Sequence, residues 1–330
     1  MLIWVQMTLS LLLSVLGAGP AGAAPLELVA SVPLPGVDGR IDHCALDEQH
    51  GRLFLAALGN GTLEVVDLKE KKVRKHAEGL HEPQGVLYLA ARDEVWVSEG
   101  GGAMLDIFRG ETLERLEQIR IGPDGDNLRF DEESQQVWLG YASGALGWID
   151  AAGRKALGHV RLPAHPEAFA LERKGKRAFA NVPGERGVCV IDRSKQEVME
   201  FWPVEAAQAN YPLLFLQDAK ELCLGCRNPA KLVVLDSDSG KQRQVVELSG
   251  DVDDLCFDEA RGRIYASCGE GTIDVFARKA PGAGWQRTDV IATAKGARTA
   301  CFSAARKQLF LAVPKSSEKP AEVRVYETRD

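Results

Sequence analysis

The sequence predicts an all-β chain, a seven-bladed β-propeller of four-stranded blades, on three observations. A unit of about 42 residues recurs along the chain, the length expected of one propeller blade. Aromatic residues flanked by aliphatic ones mark a shared register at Phe54, Trp96, Trp138, Phe179, Tyr265 and Phe310, with Cys223 in the matching place between Phe179 and Tyr265. The final unit is one strand short, and a strand-like run without a partner stands at the other end of the chain.

Each unit reads as four strands. In the first, Cys44-Ala45-Leu46 leads into Arg52-Leu53-Phe54-Leu55-Ala56, and Gly59-Asn60-Gly61 then turns the chain into Thr62-Leu63-Glu64-Val65-Val66-Asp67. Short β-rich runs separated by glycine and asparagine are hairpin chemistry. The third strands end in register at Asp67, Arg109, Asp150, Asp192, Asp236, Ala277 and Glu327. A more polar fourth strand follows, as in Arg115-Leu116-Glu117-Gln118-Ile119-Arg120-Ile121. The last unit stops at its third strand, and Leu26–Leu34 has the fourth-strand pattern. Ring closure by that N-terminal strand is therefore expected, because closure hides edges that would otherwise invite pairing with other chains.

Residues 1–24 read as a secretory signal peptide, and 25–330 as one propeller domain. Leu2–Leu16 is almost wholly apolar, small residues follow, and Ala21-Gly22-Ala23 offers a small-x-small cleavage pattern. The apolar run falls short of the roughly 20 residues that a spanning helix needs. No membrane span is expected after cleavage, and the location expected is periplasmic or secreted. Every charged residue follows the leader, so the mature chain keeps the formal charge of −7. An acidic surface repels phosphate backbones, so nucleic acid is not an expected partner.

Seven cysteines cannot all pair within one chain. Cys44, Cys189, Cys256 and Cys301 lie in apolar surroundings and read as small buried thiols. Cys223-Leu224-Gly225-Cys226 is a lone CxxC, and strand alternation sends its two thiols to opposite faces. Unlinked structural thiols are the ordinary reading of Cys226 and Cys268, with a cross-blade link between them as the alternative.

In a propeller the innermost strands start on one face of the ring, so residues at their starts converge on an axial mouth. Alignment on the aromatic column brings Asp42, Gln84, Asp126, Glu167, Tyr211, Asp253 and Arg298 to one equivalent position. The next column holds His43, Asn127 and Asp254; His81, Asp124, His165 and Asp251 lie just upstream. Arg40, Asn210 and Arg227 complete the candidate ligand-binding set. Carboxylates gathered around an axis repel unless something cationic sits among them. Asp42, Asp126, Glu167 and Asp253 are the candidate ligands for a divalent cation such as Ca²⁺, with His43, His81 and His165 available to a transition metal. Pairing with Arg40, Arg227 and Arg298 is the other solution.

The Val-Val-Asp and Val-Ile-Asp strand ends, together with Gly39-Arg40-Ile41-Asp42-His43, His81-Glu82-Pro83-Gln84-Gly85 and Ser267-Cys268-Gly269-Glu270-Gly271, carry a resemblance. The repeats resemble those of bacterial exported YVTN-type seven-bladed β-propeller proteins over essentially the whole mature chain. That resemblance implies the fold and leaves activity open, since propellers host many functions. The leading expectation is a monomeric, exported binding propeller that holds a small ligand, a cation or a protein partner at its mouth. A metal-dependent hydrolase or lyase is the competing class, similar in position and chemistry to gluconolactonase-like propellers, with Glu167 or Asp254 as general base. An accessory protein that docks a periplasmic redox partner is the third.

Overall fold

A computed structural model describes residues 24–280 and 282–330. The expected leader, apart from Ala24, lies outside the described residues. Among these residues the chain forms seven antiparallel sheets of four strands each. In chain order they are blade 1 (44–77), blade 2 (83–120), blade 3 (128–161), blade 4 (169–203), blade 5 (208–247), blade 6 (252–292) and blade 7 (299–328). Blade 7 takes its outer strand from Leu26–Pro33, which pairs antiparallel with Glu322–Thr328 from Leu26↔Thr328 to Pro33↔Glu322. The expected closure is thus the observed one.

The second strands explain why the aromatic register exists. Phe54, Trp96, Trp138, Phe179, Cys223, Tyr265 and Phe310 are all buried, and each packs into the following blade. Phe54 meets Val86 and Val95 of blade 2, Trp138 meets Phe169 and Ala178 of blade 4, and Phe310 meets Leu53 and Leu55 of blade 1. The remaining members of the column repeat the pattern, so seven apolar clusters, one between each pair of blades, close the ring. A strand alternates its side chains between two faces, so a blade between two neighbours buries both. That is why the second and third strands read as nearly continuous apolar runs, while outer strands such as Lys72–Ala77 alternate with solvent.

Polar cross-links supplement these cores. Arg52, 2% exposed, donates from Nε to Asp47 at 2.7 Å and from Nη2 to Asp93 at 2.7 Å and Tyr88 Oη at 3.0 Å, tying blade 1 to blade 2. No helix among the described residues is long and apolar enough to cross a membrane.

All seven cysteines are unpaired. Cys226 belongs to the core between blades 4 and 5 and Cys268 to that between blades 5 and 6, so a cross-blade link has no support. Burial pushes the Cys226 thiol up to about 12, which keeps it protonated and unreactive. Cys44, Cys256 and Cys301 are only partly buried, contrary to the expectation, because they stand on the inner strands of blades 1, 6 and 7.

Candidate functional site

The hairpins between second and third strands meet the segments that precede the inner strands: Gly59 N–H donates to Arg40 O, Gly100 N–H to Glu82 O and Gly269 N–H to Asp251 O. Both sets of segments therefore share one face. There the chain carries a repeated irregularity. Asp42, Asp126 and Glu167 donate their backbone N–H groups to Ala56, Gly140 and Asn181 of the adjacent second strand at 2.8, 2.9 and 3.0 Å. Ala56, Gly140 and Asn181 in turn donate their backbone N–H groups to the carbonyls of His43, Asn127 and Ala168. In blades 2, 5 and 6 the ladder shifts register at the corresponding place. A bulge of this kind breaks strict alternation, so two successive residues can face one side. Asp253 and Asp254 thereby both reach the axis, as do Asp42 and His43.

The result is an axial cavity of about 350 Å³. Arg40, Asp42, His43, Gln84, Asp126, Asn127, His165, Glu167, Tyr211, Arg227, Asp253, Asp254 and Arg298 all line it, as the column alignment expects. Two candidates do not. His81 is exposed, held outside the cavity where its backbone N–H meets Glu99 Oε1 at 3.1 Å. Asn210 is fully buried on the far side of the blade 5 bulge, where its amide donates to Gly187 O at 3.0 Å.

The four carboxylates expected to share one cation divide into two settings. Asp42 accepts two hydrogen bonds from Arg40 Nη2 at 3.0 and 3.1 Å. Asp253 is paired with Arg227 and has Arg298 Nε at 3.1 Å, and Arg298 also grips both oxygens of Asp251. Arg227 in turn lies 3.8 Å from the centre of the Tyr211 ring, a cation–π stack. On this side arginine supplies the counter-charge.

Blades 3 and 4 build the other side from histidine. His43 Nε2 stands 3.4 Å from Asp126 Oδ1 and 3.1 Å from the Asn127 amide, and His165 Nε2 stands 4.0 Å from Asp126 Oδ2. Burial acts to raise the Asp126 carboxyl, yet the two imidazoles outweigh it and hold that group well below the usual carboxylate range. Burial likewise opposes charge on His165, but contact with Asp126 and the Ala142 carbonyl prevails and raises it to about 9. His43 is raised well above its ordinary value by the surrounding aspartates, led by Asp126, against its burial. Glu167 behaves oppositely: burial, reinforced by the Asp126 charge, pushes it up to about 8. Burial also lifts Asp254 to about 7, despite its contact with His43. Acid and base of opposite preference thus share one small volume.

Sequence reasoning overlooked two kinds of residue. Arg129 lines the same cavity from the inner strand of blade 3, two residues beyond Asn127 and on the same side of the strand. Alternation alone would have found it. Ser98, Asn181 and Ser267, each two residues past the aromatic column, are buried hydroxyl or amide groups that reach into the next blade. They donate to the backbone carbonyls of Asp126, Tyr211 and Arg298 at 2.6, 3.1 and 2.6 Å. Polar residues inside an otherwise apolar register were the available signal.

Fold and site together define the class: a seven-bladed β-propeller with a densely charged axial cavity. No family model matches the chain, and no curated protein does. Among solved structures it is similar to a chain of Kuenenia stuttgartiensis hydrazine synthase, with a TM-score of 0.75 and 13% identity over 94% of this chain and 99% of that one. A chain of the mitotic checkpoint complex is similar too, with a TM-score of 0.77 and 13% identity over 98% and 99% of the two chains. At such identity the likeness shows the fold alone.

Proposed function

We propose that this protein is an exported, monomeric binding propeller of the YVTN type that holds a small, hydrophilic, charged molecule in its axial cavity. One observation carries the reading: polar groups converge on the cavity without partners of their own. Among the described residues Arg129 donates only to the Leu128 carbonyl, at 2.7 Å, and makes no ion pair. The side chains of Gln84, Glu167 and Tyr211 make no hydrogen bonds there either. A half-buried guanidinium with most of its donors unspent favours an anionic group on the ligand, and the amide and phenol favour hydroxyl or carbonyl oxygens. A few convergent polar groups in a concave site are the usual mark of small-molecule recognition.

A thermal-shift screen of small carboxylic acids, sugar acids and amino acids tests this. Anionic members should raise the melting temperature of the wild type and leave Arg129→Met unmoved. A panel without effect at millimolar concentration, or equal shifts in both proteins, contradicts the reading. Export is supported by the leader-like segment 1–24. Intact-mass measurement of secreted protein starting near Ala24 or Pro25 checks it, and retention of Met1 in a fractionated cell contradicts it.

A further inference from the structure

We propose that Asp126, His165 and Glu167 form a binding site for one divalent first-row transition ion on the blade 3 and blade 4 side of the axial cavity. The inference deepens the axial-cavity reading and rests on it. One donor atom from each residue lies within 4.8 Å of the other two.

The histidine is oriented for the task. His165 Nδ1 lies 2.6 Å from the Ala142 carbonyl oxygen. A carbonyl only accepts, so Nδ1 carries a proton and Nε2, whose own proton an ion would displace, is the nitrogen directed at Asp126. A metal-bound histidine is ordinarily fixed by such a bond from its other nitrogen. The 4.0 Å between His165 Nε2 and Asp126 Oδ2 is too long for a hydrogen bond. Two ligands bonded at about 2.1 Å to one ion stand about 3.0–3.4 Å apart at right or tetrahedral angles, so a closure of about 1 Å suffices for this pair and one of under about 2 Å for any pair of the three.

The carboxylates are also prepared. Asp126 offers Oδ1 to His43 at 3.4 Å, which leaves Oδ2 for an ion. Its backbone carbonyl is gripped by Ser98 at 2.6 Å, so the residue is fixed at both ends. Glu167, by contrast with Asp42 and Asp253, has no arginine partner and accepts no hydrogen bond among the described residues. It lines the cavity with both oxygens free of hydrogen bonds.

The donor set selects the class of ion. Ca²⁺ takes six to eight oxygens, and only two protein carboxylates are available here beside a nitrogen. One imidazole with two carboxylates suits Zn²⁺, Mn²⁺, Fe²⁺ or Co²⁺, and three protein ligands leave positions open toward the cavity. A small anionic ligand could occupy one of them, which joins this site to the one proposed for Arg129.

The test is calorimetric titration of chelator-stripped protein with Zn²⁺ and with Co²⁺. One equivalent should bind, His165→Ala and Glu167→Gln should each weaken binding by about 100-fold, and surface control His76→Ala should change nothing. No stoichiometric binding, or equal affinity in all four proteins, overturns the proposal. If His165→Ala fails to fold, pulsed electron paramagnetic resonance of wild type with one equivalent of Cu²⁺ decides, since coupling to a single imidazole is required. Coupling to none or to two overturns the assignment. Loss of metal binding with acid-induced thermal shifts retained removes only this proposal; loss of both removes the axial-cavity reading as well.

Discussion

Ser98 Oγ lies 2.6 Å from the carbonyl oxygen of Asp126 and 2.9 Å from the amide nitrogen of Gly85, so one hydroxyl bridges the mouths of blades 2 and 3. The backbone that carries the candidate site is therefore held from a neighbouring blade. Ser98→Ala leaves a buried N–H and C=O unsatisfied and should cost about 1–3 kcal/mol. Urea denaturation measures the loss. Weakened ligand binding beyond what that loss explains would locate Ser98 as a positioning residue, and an unchanged midpoint would deny it either role.

Gly85 is needed for a steric reason. A Cβ at this position would lie 2.1 Å from the Asp126 carbonyl oxygen and 2.7 Å from Ser98 Oγ. Both atoms are fixed, so Gly85→Ala must push blades 2 and 3 apart at the mouth. The expected outcome is a lower melting temperature together with lost ligand binding. Gly79→Ala is no control, since its positive φ would itself strain alanine.

Trp138 sits in the core between blades 3 and 4, with its ring 5.1 Å from that of Trp148. Trp138→Ala should destabilise by about 3–5 kcal/mol, through lost burial and the cavity left behind. A loss below about 1 kcal/mol in chemical denaturation would remove the aromatic column from the account of ring closure.

Asp106 gives stability a pH dependence away from the axis. It is fully buried in blade 2, with Arg115 Nε at 2.9 Å, Gln118 at 3.1 Å and Glu99 nearby. Burial, with the Glu99 charge adding to it and Arg115 opposing, raises its carboxyl from 3.8 to about 6. The folded protein then keeps a proton that the unfolded chain has released. Its contribution is fully favourable below about pH 4 and is lost as pH rises toward 6, with no further change above. Asp106→Asn should flatten the stability profile across that window. Identical profiles for the two proteins would contradict the assignment.

The repeat made the fold legible because every blade must solve the same packing problem, so Phe54, Trp138 and Phe310 fall at one spacing. Ring closure was legible because a blade short of one strand and a strand without a sheet imply each other. The site was legible only in part. Column alignment found Asp42, Asp126 and Asp253, since inner-strand starts converge in any such ring. Pairing with Arg40, Arg227 and Arg298 was one of two solutions open to it, and the sequence could not show which carboxylates they claim, because ion pairs depend on side-chain reach. His81 and Asn210 were misplaced for the same local reason: a bulge or a proline beside the column turns the neighbouring side chain away from the axis.

The axial cavity as the binding site is the central claim, and hydrogen–deuterium exchange tests it most directly. The comparison is between free protein and protein saturated with the strongest acid from the thermal-shift panel. The account predicts added protection confined to segments 40–43, 84–85, 124–129 and 165–168, which line the mouth. Protection concentrated on the outer strands or on the hairpins of the opposite face would contradict it.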